Sequence, residues 1–257
     1  MAVFGAYSKY YNLLYRDKDY EGEVKYLQSL LSRFAGGETG SLMELGCGTG
    51  NHAFLFGRDG VAVYGVDQSA DMIAEAKDRQ ARVGEHLKAQ PEFHEGDVRN
   101  YRANRSFDAV CSLFHVVSYQ NSNEDLLAEF QTARAHLEPG GLFIFDVWYG
   151  PAVLSDPPVV RVKRLADEST EVTRLAEPEL HAERNIVDVN YEVIVKDRAS
   201  GAVEAVKETH HMRYLFTPEL EFFLKQAGFS EILHSEEWMT GDAPSTETWG
   251  VVFVARV

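Results

Sequence analysis

The chain has 257 residues, of which 45% are hydrophobic and 25% are charged, a composition typical of one globular domain or of a domain with an added lobe. The net charge of -15 argues against a nucleic-acid partner, because phosphate binding needs a basic face. No apolar run approaches the roughly 20 residues of a membrane-spanning helix, and the first residues lack the layout of a signal peptide. The two cysteines, Cys47 and Cys111, have neither disulfide nor zinc spacing, so no metal is expected and a cytoplasmic location is predicted.

The first 146 residues alternate between predicted helices and strands. A helix is expected over residues 7–34, and its front carries a cluster of tyrosines: Tyr7, Tyr10, Tyr11, Tyr15 and Tyr20. Short apolar runs predict strands over residues 41–45, 61–66, 92–95, 107–113 and 141–146. Helices are expected between them over residues 51–58, 69–85 and 124–137, with a sharp stop at 139–141. This alternation predicts an α/β fold with parallel strands and helices on both faces of the sheet.

The pattern changes after Trp148, where apolar and polar residues alternate with period two. Four strands with one solvated face are predicted over residues 159–164, 171–175, 185–196 and 203–216. A helix follows, with Thr217 as its N-cap, Pro218 in its first turn and Gly228 at its end. Two further strands are expected over residues 230–234 and 248–255. We therefore predict an inserted antiparallel β lobe over residues 148–216 and a core made of residues 1–147 and 217–257.

A glycine-rich loop follows the first strand. Gly46, Gly48 and Gly50 alternate there, which lets the backbone turn tightly and approach a ligand. The segment 48–53 also satisfies the dinucleotide pattern G-x-G-x-x-A, so an NAD-dependent oxidoreductase is the alternative enzyme. Glu44, just ahead of the loop, would repel a pyrophosphate and attract an ammonium group. This carboxylate favours a cofactor that carries an amino-acid group.

Two more carboxylates follow the next strands. Asp67 ends the second strand, about 20 residues after the glycines, where it can accept hydrogen bonds from a ribose diol. Asp97 ends the third strand, where it suits the exocyclic amine of an adenine. In an open parallel sheet these strand ends converge on one crevice, so a single ligand site is expected there.

These motifs together resemble a known family. The run 42–72, with Asp97, Phe107-Asp108-Ala109-Val110 and the turn 137–141, resembles the class I S-adenosylmethionine-dependent methyltransferases. The resemblance implies a Rossmann-like, seven-stranded, mostly parallel doubly wound sheet whose last strand is antiparallel. The expected function is methyl transfer from S-adenosylmethionine to a nitrogen or oxygen of a small polar acceptor.

The resemblance also implies which residues bind the cofactor. Asp67 is expected at the ribose hydroxyls, and Asp97 with the backbone of Val98 at the adenine, whose ring Gln68 and Met72 flank. The glycine loop is expected to hold the methionyl end. The whole expected set is Tyr11, Glu44, Gly46, Gly48, Gly50, Asp67, Gln68, Met72, Asp97, Val98 and Phe114.

The tyrosine-rich front and the inserted strands resemble a narrower subgroup, which methylates nucleotide-linked deoxysugars on an amine or a hydroxyl. In that subgroup the front helix closes over the cofactor, and Tyr15 matches a tyrosine near the acceptor, so the resemblance implies a catalytic role for Tyr15 beside that of His115. A histidine that some members carry after the fourth strand falls at Tyr119 here, whereas this chain offers His115. A nucleotide-linked sugar is therefore among the expected acceptors, and the inserted sheet is expected to form the acceptor site or a homodimer contact.

The predicted general base is His115, because an imidazole titrates near neutral pH. The alternative is that His115 is a hydrogen-bonded wall residue. His210 and His211 follow as candidates, and strand alternation allows only one of them to point into the site. Trp148 either stacks on the acceptor or packs the base of the lobe. The basic residues of the lobe either bind an anionic acceptor or form a solvated face: Arg161, Lys163, Arg164, Arg174 and Arg213.

The acceptor residues predicted from these arguments are Tyr119, Trp148, His210 and Arg213. A module that binds the cofactor without catalysis is the non-enzymatic alternative. The sequence predicts no metal, nucleic-acid or membrane partner.

Overall fold

The computed structural model describes residues 8–83 and 86–257. The helices are α1 (Ser8–Leu14), α2 (Tyr20–Phe34), α3 (Asn51–Asp59), α4 (Ala70–Val83), α5 (Asn123–Ala135), α6 (Gly150–Ser155) and α7 (Thr217–Ala227). The strands are β1 (Ser41–Leu45), β2 (Ala62–Asp67), β3 (Glu92–Glu95), β4 (Phe107–Ser112), β5 (Leu137–Tyr149), β6 (Arg161–Ala166), β7 (Thr170–His181), β8 (Ile186–Asp197), β9 (Val203–Leu215), β10 (Glu231–Glu237) and β11 (Gly250–Arg256). Tyr7 and Glu85, the predicted ends of two helices, lie outside the described residues.

The front of the chain forms two helices, α1 and α2, where the sequence predicted one. Asp19 has non-helical backbone angles, and its side chain accepts a hydrogen bond from the backbone N–H of Gly22 at 2.9 Å. A capping residue of this kind starts a new helix, so the continuous helix over residues 7–34 is wrong. The short helix α1 packs through the buried Leu14 against Val172 and Val193 of the lobe.

The core of the fold is a seven-stranded sheet in the order β3-β2-β1-β4-β5-β11-β10. Strands β1 to β5 pair in parallel, and β11 is antiparallel to β5. Both faces are covered: α2, α3 and α4 pack on one, and α5 and α7 on the other. In β5, Phe143 and Phe145 belong to one core and Leu142 and Ile144 to the other, which explains the uninterrupted apolar run. The predicted Rossmann-like, mostly parallel sheet is confirmed.

Strand β5 is longer than predicted, because residues 138–141 form a bulge instead of a stop. Phe107 pairs with Leu137 and Ala109 with Leu142, so two steps along β4 are matched by five along β5. Gly140 has a φ of +85°, which absorbs the extra residues without a clash.

Two further details of the helices differ from the sequence prediction. The N-cap of α7 is Phe216, not Thr217, because the Glu219 carboxylate accepts a hydrogen bond from the Phe216 N–H at 3.2 Å. The helix α6 was not predicted, and its six residues are too few to show a helical period.

Strands β6 to β9 form an antiparallel sheet that grows from the end of β5. Trp148 and Tyr149 pair in parallel with Tyr214 and Leu215 of β9, while the preceding part of β5 pairs with β11. This fork puts the antiparallel strand group beside the carboxyl ends of the parallel strands. Strand β5 crosses the predicted boundary at residue 147, and the division into core and lobe stays a prediction. Over residues 8–83 and 86–257, no helix is both long and apolar enough to cross a membrane.

Candidate active site

A cavity of about 560 Å³ opens where the strand ends, the helix α1 and the lobe sheet meet. A volume of this size is usual for a small-molecule site. Among the predicted site residues, those that line it are Tyr11, Tyr15, Glu44, Gly46, Gly48, Asp67, Gln68, Met72, Asp97, Val98, Phe114, His115, Tyr119, Trp148 and His210. Gly50 and Arg213 are the two predicted residues that the structure does not bring to its wall.

The glycine loop bounds one end of the cavity, and its glycines have different tasks. Gly48 has a φ of +54°, and a Cβ atom placed there would meet nothing within 4 Å in the described part of the chain, residues 8–83 and 86–257. At Gly46, with a φ of +75°, a Cβ atom would come within 2.4 Å of Val116. Gly50 lies away from the cavity at the start of α3, where a Cβ atom would collide with Phe93 at 2.6 Å. It therefore shapes the packing of α3 on the sheet.

A buried acid–imidazole–acid cluster stands behind this loop. The Nδ1 atom of His52 lies 3.2 Å from Glu44 Oε1, and its Nε2 atom lies 2.8 Å from Glu23 Oε2. Burial opposes the charged form of His52, but its hydrogen bonds to Glu23 and Glu44 outweigh burial and raise its pKa to about 8. For Glu23 likewise, burial is outweighed by His52 and Lys18, which lower its pKa to about 2. An imidazolium between two carboxylates is therefore the form expected at neutral pH.

Glu44 offers the observation that tests the predicted cofactor. Its side chain is 2% exposed, and its Oε2 atom has no hydrogen-bond partner among residues 8–83 and 86–257. A buried carboxylate oxygen without a partner costs free energy unless a ligand satisfies it. Because Glu44 lies on the cavity wall beside the glycine loop, its Oε2 atom fits the ammonium of a methionyl group.

Asp67 is held in place by two backbone N–H groups, those of Gly48 and Ser69, each at 2.9 Å. Burial raises the pKa of Asp67, and these two hydrogen bonds act against that rise. Each carboxylate oxygen has a second lone pair, so Asp67 can bind the loop and still accept hydrogen bonds from a diol. Gln68 and the buried Met72 line the cavity next to it.

Asp97 has a partner that sequence reasoning missed. The Arg99 guanidinium binds its carboxylate through Nε and through Nη2 at 2.6 Å, and it also reaches Asp125 at 2.9 Å. Its hydrogen bonds hold the pKa of Asp97 below the usual value. Any contact of Asp97 with an adenine amine would therefore be shared with Arg99, which also lines the cavity. The i, i+2 spacing of opposite charges was a signal for this pair.

His115 lies in the loop that follows β4, next to the buried carboxylate of Asp146 on β5. Phe114 and His115 both have positive φ angles, 62° and 64°, which is costly for residues other than glycine and typical of functional sites. The backbone N–H of His115 donates to Asp146 at 3.1 Å. The His115 Nδ1 atom lies 2.6 Å from Asp146 Oδ2, without the angle of a hydrogen bond. The Trp148 ring stands edge-on to His115 at 6.2 Å.

The front tyrosines close the cavity over Phe114. The Tyr15 ring lies 4.7 Å from that of Tyr11 and edge-on to Phe114 at 5.1 Å. The Nη1 atom of Arg174, from β7, donates to the Tyr15 hydroxyl at 3.1 Å. The helix α1 is thus tied to the lobe sheet at the cavity wall.

The antiparallel strands supply further lining residues of the cavity, among them Arg174, Tyr191 and His210. The Tyr119 hydroxyl lies 2.8 Å from His210 Nδ1, and the Tyr191 ring stands edge-on to His210 at 4.8 Å. The two neighbouring histidines differ in exposure, because the His210 side chain is 4% exposed and that of His211 is 54% exposed, but both residues line the cavity. His211 pairs with Asp188 at 2.5 Å.

Arg213 is not where an acceptor residue is expected. Its guanidinium is buried between β9 and α7, where it forms an ion pair with Glu219 and donates to Asn123 at 2.7 Å. Arg161 and Arg174 line the cavity in its place. Within residues 8–83 and 86–257, no group of three metal-binding side chains comes together.

Comparison with known proteins gives a family match. Residues 42–141, which hold the glycine loop and its acids, match the methyltransferase domain model. Over 148 residues the chain is 34% identical to the dTDP-3-amino-3,4,6-trideoxy-alpha-D-glucopyranose N,N-dimethyltransferase of Streptomyces venezuelae, an alignment that covers 57% of this chain but only 59% of that protein. It is 27% identical to the dTDP-3-amino-3,6-dideoxy-alpha-D-glucopyranose N,N-dimethyltransferase of Streptomyces fradiae, over 88% of this chain and 84% of that one.

A solved structure gives the same answer for the fold. The crystal structure of DesVI from Streptomyces venezuelae superposes with a TM-score of 0.79 at 27% identity, covering 97% of both chains. These comparisons confirm the predicted family, enzyme class and cofactor and decide against an NAD-dependent oxidoreductase. The glycine loop, the unsatisfied oxygen of Glu44 and the matched domain agree: residues 42–141 of this chain form a methyltransferase domain, similar to those of S-adenosylmethionine-dependent enzymes.

Proposed function

We propose that the protein transfers the methyl group of S-adenosylmethionine to the amino group of a nucleotide-linked amino sugar. The observation that carries the proposal is the continuity of the cavity, which runs from Glu44 and Asp67 to a wall of aromatic and cationic side chains. The two relatives named above are N,N-dimethyltransferases of dTDP-linked amino sugars, and one alignment covers most of this chain. The amine substrates in the names of these two relatives favour an amine over a hydroxyl as the acceptor.

The acceptor end of the cavity carries the positive charge that would bind the phosphates of a nucleoside diphosphate. Arg161 and Arg174 line it, and the Arg174 guanidinium stacks between the rings of Tyr15 and Tyr191, 5.6 and 5.2 Å from their centroids. A guanidinium binds phosphate oxygens through paired hydrogen bonds. The net charge of -15 does not prevent this, because a local cation dominates at contact distance.

The chemistry asks the protein mainly to position two reactants. The bound cofactor supplies an electrophilic methyl group on a sulfonium, and attack on it must be in line with the breaking bond. We assign cofactor orientation to Glu44 and Asp67 and acceptor orientation to Tyr15 and Arg174. His115, with Asp146 behind it, is the first candidate for the general base, and Tyr119 with His210 is the second.

The proposal is tested with S-adenosylmethionine and a matched panel of acceptors. The panel contains a dTDP-linked 3-amino sugar, the same dTDP sugar with a 3-hydroxyl, and the amino sugar without its nucleotide. We expect release of S-adenosylhomocysteine and a product carrying one or two added methyl groups with the first compound only. Turnover of the hydroxyl compound alone would contradict the assignment of an amine.

Arg174→Met gives the corresponding test of the anionic acceptor. It removes the cation and keeps the length of the side chain, so the KM for the dTDP sugar should rise about tenfold or more, as loss of a charged hydrogen bond predicts. Lys207→Met, on the same sheet but 74% exposed, serves as the control and should leave the KM unchanged. A folded protein that binds S-adenosylhomocysteine and turns over no acceptor would favour a non-catalytic module.

A further inference from the structure

A hydrogen-bonded chain of three side chains runs from the cavity into the lobe. Tyr119 belongs to a 3₁₀ turn, Val117–Tyr119, and its hydroxyl lies 2.8 Å from Nδ1 of His210. The Nε2 atom of His210 lies 3.4 Å from Oε2 of Glu208, two residues earlier on β9. Tyr119 and His210 both line the cavity, and the Glu208 side chain is 10% exposed.

The chemistry of the three groups sets the direction of the hydrogen bonds. An ionised carboxylate only accepts, so the proton on a neutral His210 belongs on Nε2, towards Glu208. Nδ1 is then an acceptor, and the Tyr119 hydroxyl donates to it. A phenol oxygen has two lone pairs, so Tyr119 can accept from a further N–H group while it donates to His210.

We propose that Tyr119, His210 and Glu208 form a relay that removes the proton of the acceptor amine. This rests on the proposed function. The proton of the acceptor ammonium moves to the Tyr119 oxygen while the phenol proton moves to His210 Nδ1, and the N–H electron pair stays on the nitrogen. The nitrogen then bonds to the methyl carbon as the carbon–sulfur bond breaks and its electron pair goes to sulfur. The imidazolium returns its proton to solvent after product release.

The groups packed around His210 suit this task. Burial lowers the pKa of His210, against the hydrogen bond and charge of Glu208, and Arg174 and His211 lower it further. The uncharged imidazole is then the form present at neutral pH, ready to take a proton. The Tyr191 ring, edge-on at 4.8 Å from β8, and Glu208 from β9 hold its plane.

The relay is separate from His115. Asp146 and Trp148, both on β5, contact His115, whereas the relay is built on β9 and the 3₁₀ turn. Tyr119 is the catalytic residue in this proposal, because it touches the acceptor, and His210 and Glu208 act through it. The competing explanation is that the Tyr119–His210 hydrogen bond only docks the turn on the lobe.

Three substitutions separate the two explanations. Tyr119→Phe removes the relay hydroxyl, His210→Asn keeps an acceptor near the position of Nδ1 but cannot be protonated, and Glu208→Gln removes the charge that stabilises the imidazolium. We expect kcat to fall about 100-fold or more in the first two, the lower end of general-base contributions, with unchanged affinity for S-adenosylhomocysteine. Glu208→Gln should move the acid limb of the kcat profile to lower pH, because the lost carboxylate favoured the protonated imidazole.

The matched controls lie in the same sheet but outside the relay. Tyr214→Phe removes a buried phenol hydroxyl bonded to Ala182 O at 3.4 Å, and His181→Asn removes an imidazole paired with Asp188. Both should keep the wild-type kcat and pH profile. A folded His210→Asn or Tyr119→Phe protein with wild-type kcat and pH profile overturns the relay.

A measurement that needs no turnover tests the relay independently of the proposed function. In the protein with bound S-adenosylhomocysteine, the ¹⁵N shifts of His210 should show the Nε2–H tautomer at neutral pH. The Nδ1–H tautomer would overturn the relay whatever the acceptor is. Wild-type protein that shows the Nε2–H tautomer but methylates no amine would instead contradict the proposed function.

Discussion

Glu44→Gln isolates the contact between the protein and the amino-acid end of the cofactor. The substitution keeps the shape of the side chain and an oxygen for His52, and it removes the negative charge next to the unpartnered Oε2 position. A hydrogen bond to a charged group contributes about 1.5–3 kcal/mol. The affinity for S-adenosylhomocysteine should therefore fall by about 10- to 150-fold. The upper part of this range is expected, because Glu44 is only 2% exposed and solvent screens it little.

Isothermal titration calorimetry with two ligands tests this reasoning. 5′-Methylthioadenosine shares the adenosine and the sulfur of S-adenosylhomocysteine but lacks the amino-acid group. Glu44→Gln should weaken S-adenosylhomocysteine and leave methylthioadenosine unchanged, with circular dichroism confirming the fold. Equal losses for both ligands, or no loss for either, would refute the assignment of Glu44 to the ammonium.

Three other substitutions, and the pH dependence of the free energy of unfolding, have definite expected outcomes. Asp67→Ala should weaken both ligands about tenfold or more, because ribose is common to them. The raised pKa of His52 contributes about 2 kcal/mol of stability that is present below about pH 6.5 and lost as the pH rises through about 8. The lowered pKa of Glu23 contributes stability above about pH 4.5 that is lost as the pH falls through about 2. Urea unfolding of wild type and His52→Gln should therefore converge at alkaline pH, and a constant difference would contradict the cluster. Arg213→Met should lower the free energy of unfolding by about 3 kcal/mol, because it breaks the buried ion pair with Glu219. The KM for the acceptor should stay unchanged. A raised KM in steady-state assays would show that Arg213 contributes to acceptor binding.

Local features of the sequence were sufficient for the core of the fold. The strands over residues 41–45 and 92–95 have the predicted bounds, because short apolar runs between glycine, proline and polar residues favour buried strands. The glycine loop and Asp67 were predicted together, since their spacing comes from one strand–helix–strand unit. Family resemblance then added the cofactor, which the comparisons confirm.

Short helices and caps were predicted less well, because they depend on single side chains. The break before α2 depends on the Asp19 carboxylate, and the start of α7 depends on Glu219. Glu is common inside helices, so Glu219 does not mark a start by itself, whereas Asp is favoured at N-caps and Asp19 was a signal that the sequence prediction did not use.

The partners of the site residues were decided by the tertiary structure alone. His210 meets Tyr119 across 91 residues, and His52 meets Glu23 across 29, through contacts between different elements. The sequence by itself determined the order of the strands, the glycine loop and the acids at the strand ends, because each is a property of neighbouring residues, but it left β5 and β7 too short. The fork of β5 between β11 and β9, and the register of the lobe strands, decided that Arg174 faces the cavity while Arg213 pairs with Glu219. Register follows from how whole sheets pack, and a period of two along one strand cannot distinguish which face becomes the wall of a site.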